Sequence, residues 1–499
     1  MQVRTLPWGK GWLLTAALLS LGLGLRSYHY LRAPSVWHDE AALIVNVLGK
    51  DFTQLLGPLY FIEAAPPGFL WLEKSVCLLL GDGVSSLRLV PFLASCLALL
   101  LMVPLCRRVL SPQAVPWALL LFACSEQLLW HACEAKPYAV DVLVATVVLL
   151  TFVTTRGWSI IRRMVLFTLL APPIIFLSYP AAFLCGGVLA ALFLEVISEK
   201  SARTWVAYGL LALTVCVSFL LLLTGPIHAQ RANGPIENCW QNLFVPWDQP
   251  WLVPGWLGLS TLEVCRYCCK PLGQVLAFVA VVGAVDLWRT GQRGLVLLLV
   301  VPVGLALLAA CLHSYPYGGT RVMVYAAPAL ILLIAAGVPP LLAWLRARTS
   351  WVGAGALTVL LLLPLHVAIK RVIVPWERAD CGGAAEYVLA HRQPTDGVVG
   401  NIWQDLYYYR RLGRSFRLPL GALTAPGMSL VPTTGGRSPG YEMQNDVPPP
   451  ATHRLWILLT ALQPELQEAC LAAFPPQLWH TVERKEFLLT TVVLVERND

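Results

Sequence analysis

Charge is the scarcest thing in this sequence. Lys and Arg number 36 and Asp and Glu 28, so 13% of the 499 residues are charged while 57% are hydrophobic. A soluble globular chain of this size would have too little polar surface to cover its own core; a chain that crosses a membrane many times has no such need. The mean hydropathy of +0.66 points the same way. A small-residue cleavage site is also lacking after the apolar stretch from Trp12 to Leu25, which Arg4 and Lys10 precede. That stretch therefore reads as an uncleaved first helix and not as a signal peptide. The net charge of +8 marks no nucleic-acid face, because the basic residues are scattered through short inter-helix loops, where they act as topology signals. What is abundant fits a membrane: 19 Trp suit aromatic belts, and most of the 14 Cys lie inside apolar spans as small hydrophobes.

Apolar stretches suited to spanning helices lie at 12–26, 86–105, 114–131, 137–155, 164–179, 181–197, 204–224, 272–288, 294–312, 322–344 and 351–369. A shorter one, 66–80, opens with Pro66-Pro67-Gly68. If it crossed fully, Arg107 and Arg108 would move to the outer side and the alternation of basic clusters would break. Laid along the interface, it leaves every cluster on the cytoplasmic side across eleven crossings. The loops at 27–85, 132–136, 226–271 and 313–321 then share the outer side, together with everything after Lys370. The expected fold is an α-helical polytopic membrane protein of about 11–13 transmembrane helices, residues 1–371, whose outer loop 27–85 carries interfacial helices. A small extracytoplasmic α/β domain, 372–499, follows. Its expected elements are a helix at 378–392, strands at Gly397–Ile402, Leu455–Leu459 and Phe487–Val495, and a Pro/Gly-rich loop at 417–450.

Four constellations on that outer side are candidates for chemistry. Asp39-Glu40 follows the first span. Asp39 is a good N-cap for a helix Ala41–Leu48 closed by Gly49, and a carboxylate held there is equally placed to take a proton. Phe61-Ile62-Glu63-Ala64-Ala65-Pro66-Pro67-Gly68 reads as an interfacial turn entering the bilayer. In Glu134-Ala135-Lys136-Pro137-Tyr138-Ala139-Val140-Asp141, helical spacing puts Glu134, Tyr138 and Asp141 on one face with Pro137 in the first turn. Asp141 then sits about one turn inside the membrane, where an ionisable group is expensive and a function is the default reading. A plain Lys136–Asp141 ion pair is the alternative. In His313-Ser314-Tyr315-Pro316-Tyr317-Gly318-Gly319-Thr320-Arg321, the glycines let backbone N–H groups approach an anion and Arg321 offers a forked phosphate grip, against the reading of an ordinary tight loop. Cys265, Cys268 and Cys269 lack a second spaced pair or a His partner, so zinc is not expected there. A disulfide involving Cys239, and another between Cys381 and Cys470, suit an oxidising compartment better.

Taken in order, these pieces resemble the GT-C superfamily of membrane glycosyltransferases. Within it they are most similar to the protein O-mannosyltransferase and lipid A aminoarabinose transferase branch and the bacterial proteins related to it. The resemblance runs through the whole membrane region, and the order of the motifs is more specific than any one of them. It implies an enzyme of the plasma (inner) membrane with its active site and C-terminal domain extracytoplasmic. The enzyme would take a sugar from a polyprenyl-phosphate donor and pass it to an envelope lipid, glycan or protein, with membrane lipids around it and no nucleic acid. Asp39 would be the general base, with Glu40 as second candidate. Tyr138 and Asp141, with Glu134 beside them, would shape the substrate pocket, and Arg321, with Tyr315 and His313 of its loop, would bind the lipid phosphate and stabilise it as leaving group. Where the aminoarabinose enzymes carry a Lys before the prolines this chain has Ala65, so the cationic contact falls to a residue such as Lys74 or Arg321. The resemblance implies no certain cofactor, with a divalent cation as the one candidate. Acids this close together are able to hold a divalent cation, as in the oligosaccharyltransferase branch, although the nearer relatives give no reason to expect one.

Chemistry on the outer side supports the same donor, since nucleotide sugars are absent there and the donor must arrive through the membrane. Backside displacement would invert the anomeric carbon. A transporter or lipid flippase is the competing reading; against it stand the lack of repeated halves and of an interrupted helix pair at mid-membrane, and the gathering of acids on one face. A catalytically dead assembly subunit would have lost the acids, which are present.

Overall fold

All eleven apolar stretches coincide with helices in the computed structural model, which describes residues 11–231, 236–348, 351–417, 452–472 and 474–498. In chain order the helices used below are α1 (Trp12–Leu31), α2 (His38–Gly49), α3 (Pro67–Leu80), α4 (Leu89–Val109), α5 (Val115–Cys124), α6 (Glu126–His131), α7 (Tyr138–Thr154), α8 (Ile160–Leu177), α9 (Ala181–Glu199) and α10 (Ala202–Leu222). They continue with α11 (Val253–Cys268), α12 (Gly273–Arg289), α13 (Arg293–Cys311), α14 (Ala327–Ala347), α15 (Trp351–Ile373), α16 (Cys381–His391), α17 (Gln404–Tyr408) and α18 (Pro464–Leu471). Among the described residues seven helices are long and apolar enough to cross a membrane, or eight if the pair α11–α12, bent by 96°, counts as one broken span. The other predicted spans are α1 and the shorter apolar helices around α5 and α7. The outward faces fit lipid: on α10, Leu210, Leu213, Leu220 and Leu221 are each more than half exposed, a surface that water would penalise. This is a multi-pass membrane fold.

The stretch 66–80 is the helix α3, whose 14 residues reach about 21 Å against a hydrocarbon core about 30 Å thick. The stretch 114–131, expected as one helix, is two. The chain breaks at extended Ser125, whose hydroxyl caps α6 by accepting from the Leu128 N–H at 3.5 Å. The carbonyls freed at the end of α5 are taken up by Arg26 of α1. Its fully buried guanidinium donates to Phe122 O and Ala123 O (3.2 Å each), to Gly22 O (3.0 Å) and to Ser95 Oγ (2.8 Å). An arginine inside the bundle is tolerated because every arm of it has an acceptor. Part of the expected outer loop 226–271 is the helix α11.

The most enclosed span is the one continuing through α14, of which 83% is buried, against 17–44% in the other six. It crosses α12 at two facing glycines. A Cβ on Gly283 would lie 1.9 Å from Leu333 O, and one on Gly337 2.0 Å from Val279 O, so the two backbones touch where no side chain fits. This central span begins at Arg321, which puts a cation at the mouth of the bundle.

Beyond α15 the chain forms a five-stranded sheet of order β2-β1-β3-β5-β4, with β1 (Gly397–Gly400), β2 (Phe416–Arg417), β3 (Arg454–Thr460), β4 (Trp479–Phe487) and β5 (Thr490–Arg497). β1 pairs in parallel with β2 and β3, while β5 is antiparallel to β3 and β4. α16 covers the face carrying Val398, Trp456, Leu458 and Val492; α18 lies on the other, with Val399, Ile457 and Val493. The expected strand Phe487–Val495 is the end of β4, a turn and β5. Exposed β4, with Glu483, Arg484 and Lys485 along it, escaped an apolar search because it is the outer edge of the sheet. Most of the expected loop 417–450 lies outside the described residues.

Candidate active site

The acid pair opens α2, whose first residue is His38 after extended Trp37, so Asp39 is not the N-cap. The N-cap is Trp37, and Glu40, third in the helix, reaches back to accept from the Trp37 N–H at 3.4 Å. Gly49 is the last helical residue, and extended Lys50 ends the helix. With both acids inside the first turn, their side chains diverge.

Glu40 turns inward and is fully buried. Arg88, at the start of α4, reaches it twice (Nε to Oε1, 2.8 Å; NH2 to Oε2, 2.7 Å), Arg378 adds NH1 to Oε2 at 2.8 Å, and the Ala135 N–H donates to Oε1 at 2.8 Å. Burial alone would raise this carboxyl, but the two guanidiniums outweigh it and hold it at about 2. Its acceptor positions are used up in tying α2, α4, the 133–137 turn and the tail together. A base needs a free lone pair, so this geometry speaks against Glu40 as second candidate. The tail grips the same segment elsewhere: Tyr408 Oη accepts from the Val36 N–H (2.8 Å), Gln404 Nε2 donates to Val36 O (3.1 Å), and Ser35 Oγ donates to Asp380 Oδ1 (3.0 Å).

Asp39 points the other way, towards Arg321. The guanidinium holds it as a fork, NH1 to Oδ2 at 2.5 Å and NH2 to Oδ1 at 3.2 Å. Lys136 Nζ is 3.5 Å from Asp39 Oδ2 and makes a closer ion pair with Glu63 Oε2. Burial pushes Asp39 up, yet Lys136, Arg321 and His38 together bring it below its usual value. Glu63 goes the opposite way: burial raises it, Lys136 offsets only part of that, and Asp39 adds to the rise. Lys136 itself is 1% exposed; burial would lower it, but Glu63 and Asp39 more than compensate and the ammonium is held above its ordinary value. Lys136 is thus no partner of Asp141, which instead accepts a 2.6 Å hydrogen bond from Ser178 Oγ.

The turn between α6 and α7 explains this placement. Its Lys136 N–H folds back on Glu134 O (2.7 Å), so three successive residues present three different groups to the site. Glu134 accepts from Trp37 Nε1 (3.2 Å) and meets His131 Nδ1 (2.8 Å), the Ala135 N–H goes to Glu40, and Lys136 goes to the two acids. Glu134 lies before α7 and is not on one helical face with Tyr138 and Asp141. Tyr138 does join the cluster: the Arg321 guanidinium carbon lies 5.8 Å from its ring centre and 5.3 Å from that of Trp240.

Beside the fork is a cavity of about 410 Å³ lined by Trp37, His131, Glu134, Trp240, Tyr267 and Arg321 among others. Its volume is in the range of small-molecule sites, and aromatic faces with a few aimed polar groups are what such sites use. His131, joined to Tyr267 Oη at 2.9 Å through Nε2, was missed by sequence reading, as were Tyr267 and Trp240. The His131-x-x-Glu134 spacing at a helix end was the available signal. Gly318, at φ +143°, needs to be glycine, while Gly319 packs on Glu263 at the cavity wall.

The remaining candidates are engaged elsewhere. His313 Nε2 meets Val245 O at 3.1 Å and its ring stacks on Phe244, and Tyr315 donates to Val322 O at 2.7 Å, bracing the segment after Arg321. Lys74 donates to Val47 O (3.0 Å) and Leu48 O (3.4 Å) at the end of α2. Cys265, Cys268 and Cys269 are buried free thiols, and so are Cys381 and Cys470, which lie on helices covering opposite faces of the sheet and cannot meet. The side chain of Cys239 lies outside the described residues.

No protein-family model matches this chain, and no curated protein matches its sequence. Solved structures do. ArnT from Cupriavidus metallidurans bound to undecaprenyl phosphate aligns over 97% of this chain and 98% of its own, with a TM-score of 0.57 at 11% identity. The apo state of the same protein aligns over 98% of each chain, with a TM-score of 0.52 at 14% identity. The likeness is one of fold, and it spans the whole length: this chain has the GT-C fold.

Proposed function

We propose that the chain is an integral-membrane glycosyltransferase that moves a sugar from a polyprenyl-phosphate donor to an extracytoplasmic acceptor hydroxyl on a lipid, glycan or protein, with inversion. The observation that carries this reading is the fork between Asp39 and Arg321 at the edge of an aromatic-lined cavity, with Lys136 beside it. That the similar fold of ArnT was solved with undecaprenyl phosphate supports a lipid-phosphate donor.

The resting site holds a base that is switched off. A carboxylate gripped by two cations is stabilised as the anion and has little appetite for a proton. A donor phosphate competes for the same guanidinium, since Arg grips phosphate and carboxylate with the same fork. When the phosphate takes Arg321, Asp39 loses its closest partner and its proton affinity rises as substrate arrives. The acceptor oxygen then attacks the anomeric carbon, its proton passes to Asp39, and the bond from that carbon to the phosphate oxygen breaks. The phosphate goes from a monoanionic diester to a dianionic monoester, and Arg321 faces the charge that develops. Inversion follows from attack opposite the leaving group. The plasma membrane, with the site and the sheet on the outer side, is the setting this donor implies.

The test incubates the purified protein with polyprenyl-phosphate sugars and envelope acceptors and follows both product and lipid movement in vesicles. Glycosylated acceptor and released polyprenyl phosphate support the reading. Movement of the lipid across the bilayer with no sugar transfer replaces it with a flippase.

A further inference from the structure

Lys136 is the unusual member of the cluster. It is a lysine with 1% of its surface exposed, carried on the turn between α6 and α7 and aimed between two carboxylates from different segments. Nothing about its position is loose. Its own N–H is bonded to Glu134 O, the neighbouring Ala135 N–H is bonded to Glu40, and Pro137 follows directly at the start of α7.

A divalent cation would claim the same space. Two carboxylates facing each other across a buried gap, next to a site meant for phosphate, form the donor set that Mg²⁺ or Mn²⁺ uses, with oxygens about 2.0–2.6 Å from the ion. In this chain the gap between Asp39 and Glu63 is filled by the Lys136 ammonium, tethered to both. The charges agree. Asp39 and Glu63 face Lys136 and Arg321, which sum to zero with Glu63 ionised and to plus one with Glu63 protonated. In either state a divalent ion would add two positive charges to a buried site that is already neutral or carries one positive charge, with Nζ in the way of its ligands. The residues do not fit a resident metal.

We propose that Lys136 is a built-in cation standing where a divalent ion would otherwise bridge Asp39 and Glu63, and that sugar transfer at this site runs without added metal. The proposal rests on the glycosyl-transfer reading and deepens it. Lys136 supplies the second positive charge facing the lipid phosphate once Arg321 has let go of Asp39.

The experiment uses the full-length protein in detergent and two independent readouts. In the first, transfer from a polyprenyl-phosphate sugar is measured with and without EDTA; the wild type is expected to keep its rate within twofold. In the second, Mn²⁺ binding is followed by electron paramagnetic resonance. The wild type is expected to bind none at this site, whereas Lys136→Ala, which opens the gap, binds one ion that Lys136→Ala combined with Asp39→Asn does not. Lys136→Ala is expected to lose at least a hundredfold in transfer and to recover part of it with Mn²⁺ or methylammonium, and Lys136→Arg to retain more than Lys136→Ala. Loss of wild-type transfer in EDTA with recovery in Mn²⁺, or one Mn²⁺ bound by the wild type and released by Asp39→Asn, overturns the proposal. Should Lys136→Ala fail to fold, both wild-type measurements still decide. A wild type with no transfer under any condition refutes the glycosyl-transfer reading instead, and the Mn²⁺ signal still judges Lys136.

Discussion

Substituting Glu40 by Gln separates the two acids of the pair. The change keeps the shape and removes the charge on which Arg88 and Arg378 converge, leaving two guanidiniums, 1% and 8% exposed, facing a neutral amide. Breaking a buried ion pair from one side costs about 3–5 kcal/mol, because the other charge stays behind without compensation. Arg378→Met is milder, about 1–3 kcal/mol, since Glu40 keeps both contacts to Arg88 and the Ala135 N–H. The double variant relieves the repulsion between the arginines and should fall short of the sum by about 0.5–3 kcal/mol. Tryptophan fluorescence during thermal or SDS unfolding of the detergent-solubilised protein reads all three. Transfer per folded molecule should stay within about tenfold of wild type in Glu40→Gln, whereas loss of a general base costs about 10²–10⁴-fold. A Glu40→Gln protein as stable as wild type refutes the reasoning. So does one that is folded but as inactive as Asp39→Asn.

Gly283→Ala should destabilise the bundle by at least about 1–3 kcal/mol, because its Cβ meets Leu333 O at 1.9 Å. Gly209→Ala, with nothing within 4 Å, should leave the same unfolding midpoint unchanged or slightly raised. In the tail, Asp405 is buried with Oδ2 unpartnered, and burial pushes its carboxyl up to about 8. A raised folded value means its contribution is complete below the unfolded value near 3.8 and is lost as pH rises through about 8. Asp405→Asn should therefore flatten the fall in melting temperature between pH 5 and pH 9, and an unaltered profile would count against this burial.

The spans were legible because a run of about twenty apolar residues is a strong signal in one dimension, and bundle packing only confirms it. Asp39 and Arg321 stood out for a related reason: in a chain this poor in charge, an acid or base beside a span is conspicuous. What each charge touches was not legible. Glu40 owes its role to Arg378, 338 positions away, and a capping pattern cannot contain that information. The Lys136–Asp141 ion pair, the alternative reading of that stretch, does not form, because the helix starts one residue after Pro137 and the tight turn before it sends Lys136 to Asp39 and Glu63. His313 and Tyr315 shared a motif with Arg321, yet a loop that reverses direction gives neighbours in sequence different tasks. The thiols show the same limit, since Cys381 and Cys470 look like a pair until a sheet is placed between them.

The most direct measurement compares binding and chemistry in Asp39→Asn and Arg321→Gln, with polyprenyl-phosphate binding followed by native mass spectrometry beside sugar transfer. If Asp39 competes with the lipid phosphate for Arg321 and then takes the acceptor's proton, Asp39→Asn binds the lipid at least as tightly as wild type and does not transfer, while Arg321→Gln loses the lipid. Transfer that survives Asp39→Asn, or lipid binding that Asp39→Asn abolishes and Arg321→Gln leaves intact, contradicts that assignment.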